Sequence, residues 1–365
     1  MARWRAVLVV ALLALVCLPS AEAVAAQTVA VTGGPCGDPA LGTGCRPYFP
    51  DVARDPHGDG DDLLAVYRWA VDHVSRPSQL RMVRSRDGGA TWQAATPFVV
   101  ASAAGLDFRD PSLTTMRNGR LLLSYFVNDG TTTRTEVVHR DTDGVAFSAP
   151  APVLSSTLPH PATSAKIVEL ANGQLLIPVY GTPAGSADRQ SAVVVSLDGG
   201  LSWDGRVTGR QKTLAAAAGT HYQEPAIAEV APGHVRALVR VETAAGSVSA
   251  VQSDSYGGTY LTTWGRPWAL GVPMHGPELL TVPGTDQVPY LWSQPGGGSR
   301  PTMIAVRRGA VPWHATPRWP LYAPATSDAG YPGTVALSAA QLVTVVYDET
   351  RSAVIAVRYP VTDVD

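Results

Sequence analysis

The feature that most limits the fold of this chain is a unit of two short apolar segments joined by a turn, which recurs six times. The six turns lie near Gly58, Gly119, Gly173, Gly233, Gly284 and Ala339. Their spacings are between 51 and 61 residues. Apolar runs of four to eight residues bounded by glycine, proline and asparagine are typical of strands, and a helical period of 3.6 is nowhere sustained. The chain is therefore built from strands.

A strand-based repeat of about 55 residues is typical of a propeller or a solenoid. Six copies of about four strands predict an all-β fold, a six-bladed β-propeller of four-stranded antiparallel blades. One blade cannot cover both faces of its own sheet, so residues 27–365 are expected to fold as a single domain. The 35 glycines and 30 prolines fit the many turns, and the formal net charge of −2 argues against a basic nucleic-acid-binding protein.

Residues 1–26 have the pattern of a secretion signal that is removed from the mature protein. A basic start precedes an apolar run over residues 6–18, which is too short to span a membrane. Small residues predict cleavage after Ala23, with cleavage after Ala26 as the alternative. The protein is therefore expected to be secreted by a bacterial export pathway, without a membrane anchor.

Two cysteines, Cys36 and Cys45, remain in the predicted mature chain. In an exported protein, such a pair is expected to form a disulfide that closes a short loop. A metal site is the alternative, but no histidine lies nearby at ligand spacing. No metal and no cofactor are expected.

Two segments, residues 85–92 and 196–203, share the pattern S-x-D-x-G-x-[TS]-W, which is the Asp-box. The aspartate can accept hydrogen bonds from turn amides, the glycine supplies a positive φ, and the tryptophan packs beneath the turn. Asp87 and Asp198 are therefore predicted to be structural rather than catalytic.

Asp-boxes in a six-fold, β-rich, exported chain resemble the sialidase superfamily, and the resemblance covers essentially the whole mature chain. It implies a retaining exo-glycosidase that releases a terminal sialic acid or related ulosonic acid from a glycan or glycoconjugate. It also implies Tyr331 as nucleophile, Glu224 as its base and Asp72 as the acid. A monomer is expected, with no nucleic-acid partner.

These three roles fit the chemistry of such a sugar. Its anomeric carbon carries a carboxylate, which would repel a carboxylate nucleophile but not a neutral tyrosine. Free tyrosine has a pKa of about 10 and needs a base, so Glu224 would take the proton of Tyr331. Asp72 would protonate the leaving oxygen and then activate water. Each has a structural alternative: packing in the central channel for Tyr331, a turn acid for Glu224 and a solvated loop residue for Asp72.

The resemblance further implies substrate-binding residues. Arginine binds a carboxylate through two parallel hydrogen bonds and stays charged at any working pH. Arg240, Arg300 and Arg68 match arginines of the family, and Asp110 matches an aspartate that contacts a sugar hydroxyl. The last repeat ends in Asp348 and Glu349, which match acidic residues that orient an arginine.

The first repeat departs from the family pattern. Sialidases begin it with Arg-Ile-Pro, but this chain has Tyr48-Phe49-Pro50. Arg46 lies two residues before Tyr48, so in a strand it shares a face with that position and is able to replace the missing arginine. The alternative is that Arg46 is a surface residue beside Cys45. If it does not substitute, the alternative function is an exo-hydrolase of another sugar, such as an arabinan, and the rival is a non-catalytic carbohydrate-binding propeller.

Overall fold

The computed structural model of the chain describes residues 27–33, 36–38, 40–141, 146–256 and 263–364. The predicted signal peptide lies outside the described residues. Strands make up the regular structure of these ranges, apart from two short 3-10 turns at Trp313–Ala315 and Val361–Val364. Among the residues described, no helix has the length and apolarity that crossing a membrane would need.

The strands form six sheets, which confirms the predicted six-bladed, all-β propeller of antiparallel blades. The first strand, β1, spans Gln27–Gly33. Blade 1 contains β2 (Cys36–Asp38), β3 (Gly42–Arg54), β4 (Leu63–Ala70), β5 (Gln79–Ser85) and β6 (Phe98–Ser102). Blade 2 contains β7 (Asp107–Thr115), β8 (Leu121–Asn128), β9 (Thr133–Arg140) and β10 (Ala151–Leu154). Blade 3 contains β11 (Val168–Glu169), β12 (Leu175–Gly181), β13 (Gln190–Ser196) and, after β14 (Trp203–Asp204), β15 (Gln211–Ala215).

The other three blades continue the pattern. Blade 4 contains β16 (His221–Ala231), β17 (His234–Thr243), β18 (Gly246–Tyr256) and β19 (Trp268–Ala269). Blade 5 contains β20 (His275–Leu279), β21 (Gln287–Ser293), β22 (Thr302–Arg308) and β23 (Trp319–Tyr322). Blade 6 contains β24 (Ala329–Ala336), β25 (Gln341–Asp348) and β26 (Ala353–Pro360).

The ring is closed by the beginning of the chain. Strand β1 pairs antiparallel with β26 and becomes the fourth strand of blade 6. The strand β24 also contacts β3, which brings the last blade against the first. A further link is β14, which leaves blade 3 and pairs in parallel with β10 of blade 2.

The core lies between neighbouring blades, which explains the uninterrupted apolar segments. All eight residues of β4 are buried, because both faces of this strand are covered. Between blades 1 and 6, Val52 and Tyr67 pack in one cluster with Val343 and Val345. Such a blade has no solvent-facing side at its centre, so alternation of polar and apolar residues is lost there.

The Asp-box aspartates are structural, as predicted. Asp87 Oδ1 accepts hydrogen bonds from Ser85 Oγ and Thr91 N, both at 2.8 Å, and Trp92 Nε1 donates to Gly89 O at 3.2 Å. The second box repeats the pattern, with Trp203 Nε1 donating to Gly200 O at 3.1 Å. Each carboxylate is saturated by its own turn.

The two cysteines lie opposite each other. Cys36 of β2 and Cys45 of β3 are antiparallel backbone partners, and Cys45 is buried. The side chain of Cys36 lies outside the described part of the structure, so the disulfide stays a prediction.

Candidate active site

Five blades turn a residue of their innermost strand toward the centre through the same backbone irregularity. In β3, β7, β16, β20 and β24, the residue before a proline has a positive φ: Phe49 (48°), Asp110 (47°), Glu224 (48°), Gly276 (48°) and Tyr331 (51°). The pairing register with the next strand shifts across each of these steps. The residue before proline is normally extended, and a left-handed conformation costs energy at every residue except glycine. We refer to these five positions as the central ring.

The central ring was not recognised as a set in the sequence. Its signal is the series Phe-Pro, Asp-Pro, Glu-Pro, Gly-Pro and Tyr-Pro at the start of five repeats. Blade 3 lacks the proline and has Ser164 there, two residues before Lys166. Strained backbone of this kind is concentrated at functional sites.

Three of the predicted site residues meet at the ring. Tyr331 Oη donates a hydrogen bond to Glu224 Oε1 at 2.8 Å. Arg240 Nη1 donates to the same carboxylate oxygen at 2.6 Å and lies 3.2 Å from Tyr331 Oη. The other oxygen, Glu224 Oε2, accepts the amide of Gly276 at 2.8 Å. Phenol, carboxylate and guanidinium therefore form one hydrogen-bonded group.

The surroundings of Glu224 and Tyr331 shift their pKa values in opposite directions. Burial alone would raise the pKa of Glu224, but the charge and hydrogen bond of Arg240 outweigh it and lower the pKa to about 2. Burial raises the pKa of Tyr331 well above 10, and the negative charge of Glu224 adds to this effect. At neutral pH, Glu224 is therefore an anion that accepts a hydrogen bond from the neutral phenol of Tyr331.

Arg300 lies beside the ring of Tyr331. Its guanidinium carbon is 5.4 Å from the centre of the Tyr331 ring. Its Nε donates to Ala329 O at 2.6 Å, and its Nη2 donates to Tyr347 Oη at 2.7 Å. Both arginines that were predicted to bind substrate are therefore near Tyr331, Arg240 at its hydroxyl and Arg300 at its ring.

Arg68 has protein partners of its own, away from Tyr331. Its side chain is 0% exposed. Nε donates to Asp107 Oδ1 at 2.7 Å, Nη1 to the backbone oxygen of Asp72 at 2.7 Å, and Nη2 to that of Ser75 at 3.1 Å. The guanidinium anchors the loop that follows β4. Whether Arg68 also binds a substrate stays a prediction.

The two acidic residues at the end of the last repeat, which were predicted to orient an arginine, have different partners. Arg46 forms an ion pair with Glu349, so Glu349 orients an arginine, and the Arg46 side chain is 37% exposed. Asp348 instead accepts a hydrogen bond from Tyr322 Oη at 2.6 Å and is buried. Asp348 therefore positions a tyrosine of blade 5. Whether Arg46 contacts a substrate stays a prediction.

Asp72 lies on the exposed loop between β4 and β5, where its Oδ1 accepts the amide of His73 at 2.7 Å. The ring of His73 lies 4.9 Å from that of Phe49, and its Nδ1 is 2.8 Å from Asp328 Oδ1. Through His73, the loop therefore contacts Phe49 of the central ring. The acid role of Asp72 stays a prediction.

A cleft of about 410 Å³ opens onto the group. Its lining includes Arg109, Asp110, Asn128, Tyr180, Glu224 and Tyr331. Asp110 is buried, and burial raises its pKa to about 7 although Arg109 opposes the shift. Arg109 was not predicted; its guanidinium carbon lies 5.1 Å from the centre of the Phe49 ring.

Behind Arg240, two further residues that the sequence did not indicate complete the site. Glu242 forms a second ion pair with Arg240. His275 Nε2 lies 2.6 Å from Ser247 Oγ, and burial together with the nearby Arg240 lowers the pKa of this histidine to about 4. His275 is therefore neutral at working pH, and the position of Arg240 is fixed by two carboxylates.

Comparison with known proteins agrees with the repeats and the fold. Residues 80–288 match the BNR repeat-like domain. The chain belongs to the BNR repeat-like family. No curated protein matches it.

Solved structures similar to this BNR repeat-like protein share its fold at low sequence identity. A protein of unknown function from Dyadobacter fermentans has a TM-score of 0.74 at 17% identity, covering 91% of this chain and 99% of that one. An α-L-arabinanase from Penicillium chrysogenum, complexed with arabinobiose, has a TM-score of 0.66 at 15% identity, with coverages of 93% and 100%. A mutant of the NanB sialidase from Streptococcus pneumoniae has a TM-score of 0.60 at 10% identity, with coverages of 87% and 69%. The chain thus has the sialidase fold, which several glycoside hydrolases share.

Proposed function

We propose that this BNR repeat-like protein is a retaining exo-glycosidase whose nucleophile is Tyr331. The observation that carries the proposal is the 2.8 Å hydrogen bond from Tyr331 Oη to Glu224, which lies in a cleft and joins two ring residues of strained backbone. A non-catalytic binding propeller has no need to keep a tyrosine against an ionised carboxylate.

The first chemical step follows from the two pKa values. Glu224 has a pKa of about 2 and that of Tyr331 lies well above 10, so full proton transfer before attack is unfavourable. The proton must move to Glu224 while Tyr331 Oη forms its bond to the anomeric carbon. Arg240, 3.2 Å from the phenol oxygen, stabilises the negative charge that develops there. The leaving oxygen also needs a proton, and the family resemblance assigns its delivery to Asp72.

We propose a terminal sialic acid or related ulosonic acid as the substrate. Arg240 lies at the hydroxyl of Tyr331 and Arg300 lies near its ring, which suits a carboxylate attached to the carbon that Tyr331 attacks. Glu224 and Glu242 neutralise part of the charge of Arg240, and Asp328, whose Oδ1 lies 3.6 Å from Arg300 Nη2, neutralises part of the charge of Arg300. As a secreted monomer, the protein would act on the glycan outside the cell.

A neutral sugar, as in an arabinan, is the second candidate. Tyr48, which replaces the family arginine, is only 1% exposed and leaves no cation at that position. Arg46 is already paired with Glu349. Two clamping arginines favour an anion less strongly than three would.

The test is hydrolysis of three 4-methylumbelliferyl α-glycosides. Their sugars are N-acetylneuraminic acid, a second ulosonic acid other than a sialic acid, and L-arabinofuranose. Release from the first or second supports an anionic substrate, and release from the third alone supports the neutral alternative. No release by folded protein from any of them contradicts an enzyme. Proton NMR of the first anomer formed checks retention.

The role of Tyr331 is tested with Tyr331→Phe, for which kcat/KM should fall by at least about 10³-fold. The exposed Tyr256 provides the control, because Tyr256→Phe removes a hydroxyl that does not belong to the central ring. Unchanged turnover by Tyr331→Phe would exclude Tyr331 as the nucleophile.

A further inference from the structure

We propose that Asp110, rather than Asp72, is the general acid and base of this site. The inference rests on the proposed glycosidase function and names the residue that handles the proton of the leaving group. It starts from the place of Asp110 in the fold. Asp110, Glu224 and Tyr331 belong to blades 2, 4 and 6, and all three stand at the ring position with φ between 47° and 51°. The same backbone conformation that positions the nucleophile and the base therefore also positions Asp110.

The second observation is an unused carboxylate oxygen. Asp110 is buried, and no donor among the described residues lies within hydrogen-bond distance of its Oδ1. The adjacent Arg109 turns its guanidinium toward the rings of Phe49 and Phe126, at 5.1 and 5.6 Å. A buried ionised carboxylate with an oxygen that has no donor is costly, whereas a neutral carboxyl group is far less so. Its environment thus favours a protonated Asp110 that faces the cleft.

The charges around Asp110 agree with this state. Burial is the largest effect on its pKa and raises it to about 7. Arg109 and Arg68 lower the pKa, while Glu224 and Asp107 raise it. Tyr331 and Tyr180 also lie near enough for their own pKa values to be raised by the charge of Asp110. A pKa near the working pH is what a general acid that later serves as a base requires.

Glu224 and Asp110 therefore form a pair with divergent properties in one cleft. Glu224 is ionised down to a pH of about 2, and Asp110 keeps its proton up to about 7. Two carboxyl groups whose surroundings separate their pKa values mark the acceptor and the donor of an acid–base reaction. Asp72, by contrast, is exposed on a loop and uses Oδ1 to bind the amide of the next residue.

The reaction has two steps. Asp110 gives its proton to the glycosidic oxygen as the bond from that oxygen to the anomeric carbon breaks, and the electron pair stays on the oxygen. Tyr331 Oη bonds to the anomeric carbon, and its proton passes to Glu224. In the second step, ionised Asp110 takes a proton from water, and the hydroxide formed attacks the anomeric carbon. The bond to Tyr331 breaks, and Glu224 returns the phenol proton.

The first test needs no substrate. Protein labelled with ¹³C at the aspartate carboxyl carbon is titrated by NMR, with Asp110→Asn to assign the resonance. Asparagine tolerates a positive φ, so the variant keeps the ring backbone. A resonance that titrates near pH 7 and is missing from the variant supports the proposal. Titration of that resonance below pH 5 overturns it, because an ionised carboxylate has no proton to donate, and this result does not depend on which sugar is cleaved.

The second test compares leaving groups. The probes are the methyl and 2,4-dinitrophenyl glycosides of N-acetylneuraminic acid, or of L-arabinofuranose if that sugar is the one released. For Asp110→Asn, kcat/KM for the methyl glycoside should fall by about 10²–10⁴-fold, the usual contribution of general acid catalysis. For the dinitrophenyl glycoside it should fall by less than about tenfold, because that phenol leaves without a proton. Added azide should restore kcat, since it needs no base.

The matched control is Asp72→Asn on the same two glycosides. Equal changes for both leaving groups in this variant support Asp110 as the acid. The proposal is overturned if Asp72→Asn shows the leaving-group dependence, or if Asp110→Asn lowers kcat/KM equally for both. If Asp110→Asn does not fold, Asp110→Gly allows the same comparison, because glycine adopts this φ freely. Failure of Tyr331→Phe to lower turnover would instead contradict the proposed function.

Discussion

The ring of Tyr331 lies directly against Gly276, the central-ring residue of the neighbouring blade. A Cβ atom on Gly276 would be 2.6 Å from Tyr331 Cδ1 and 2.9 Å from its Cγ. Because blade 5 has no side chain at this position, the tyrosine of blade 6 crosses it and reaches Glu224 of blade 4. The amide of Gly276 also donates to Glu224. Gly276 thus supplies both the space and a donor.

Gly276→Ala should therefore displace Tyr331 from Glu224. We expect kcat/KM to fall by about 10²-fold or more, the usual effect of moving a reacting group by about 1 Å. The control is Gly284→Ala, since Gly284 also has a positive φ (75°) but nothing lies within 4 Å of its added Cβ. Both variants carry the backbone penalty, so thermal unfolding measures it separately. Equal kinetics for the two variants would contradict the argument.

Below the ring, Lys166 joins three blades across the channel. Its Nζ donates to Val52 O at 2.9 Å, forms an ion pair with Asp51 and lies 3.9 Å from Glu278 Oε1. Each carboxylate also accepts a backbone amide of the following blade, Leu113 for Asp51 at 2.6 Å and Thr334 for Glu278 at 2.7 Å. Lys166 of blade 3 thereby holds blades 1 and 5, which carry neighbours of the catalytic group.

Lys166→Met should destabilise the protein by about 3–5 kcal/mol, because the buried side chain of Asp51 loses its cation. Lys212, the other lysine of the chain, is the control. It lies on β15 away from the channel, and Lys212→Met should change stability by less than about 0.5 kcal/mol. Urea unfolding of both variants measures the difference. A loss below about 1 kcal/mol for Lys166→Met would show that the channel pair has no net stabilising role.

The carboxylate of Glu224 should make stability depend on pH in the acid range. Its pKa is about 2 in the folded protein and 4.5 without the fold, so its contribution is fully present above pH 4.5. It is lost as the pH falls toward 2, and at 1.36 kcal/mol per pKa unit it amounts to about 3 kcal/mol. The difference in unfolding free energy between wild type and Glu224→Gln should therefore shrink from pH 5 to pH 3. A constant difference over this range would contradict the low pKa.

Much of the fold was predictable because it repeats locally. The apolar segments, turns and Asp-boxes are each encoded within a few residues, so they predicted six antiparallel blades. The closure of the propeller by β1 was not predictable, because its partner β26 lies at the opposite end of the chain. Pairing over such a distance has no short-range signal.

The site was predictable where a residue type has one plausible use. Tyr331, Glu224, Arg240 and Arg300 come together, because a phenol, an anion and two cations near the axis satisfy one another. The partners of Arg68 were not predictable, because an arginine at a strand end can bind either substrate or protein, and its ion pair with Asp107 depends on a residue of the next blade. The sequence likewise gave no indication that Gly276 must be small for Tyr331 to pass.

Arg300 provides a test of the substrate's charge. Its guanidinium is held by Ala329 O and Tyr347 Oη while its charge faces Tyr331. Arg300→Lys keeps the charge but loses the planar fork that pairs with a carboxylate. We expect KM for the N-acetylneuraminic acid glycoside to rise by about 10–100-fold, the value of a hydrogen bond to a charged group, with little change in kcat.

The matched control for this variant is Arg134→Lys, since Arg134 is exposed and pairs with Glu136 on blade 2. It should leave KM unchanged. For the arabinofuranoside, Arg300→Lys should also have little effect, because a neutral sugar offers no carboxylate for the fork to bind. Equal increases in KM for anionic and neutral glycosides would mean that Arg300 acts only by holding Tyr347 and the strand before Tyr331.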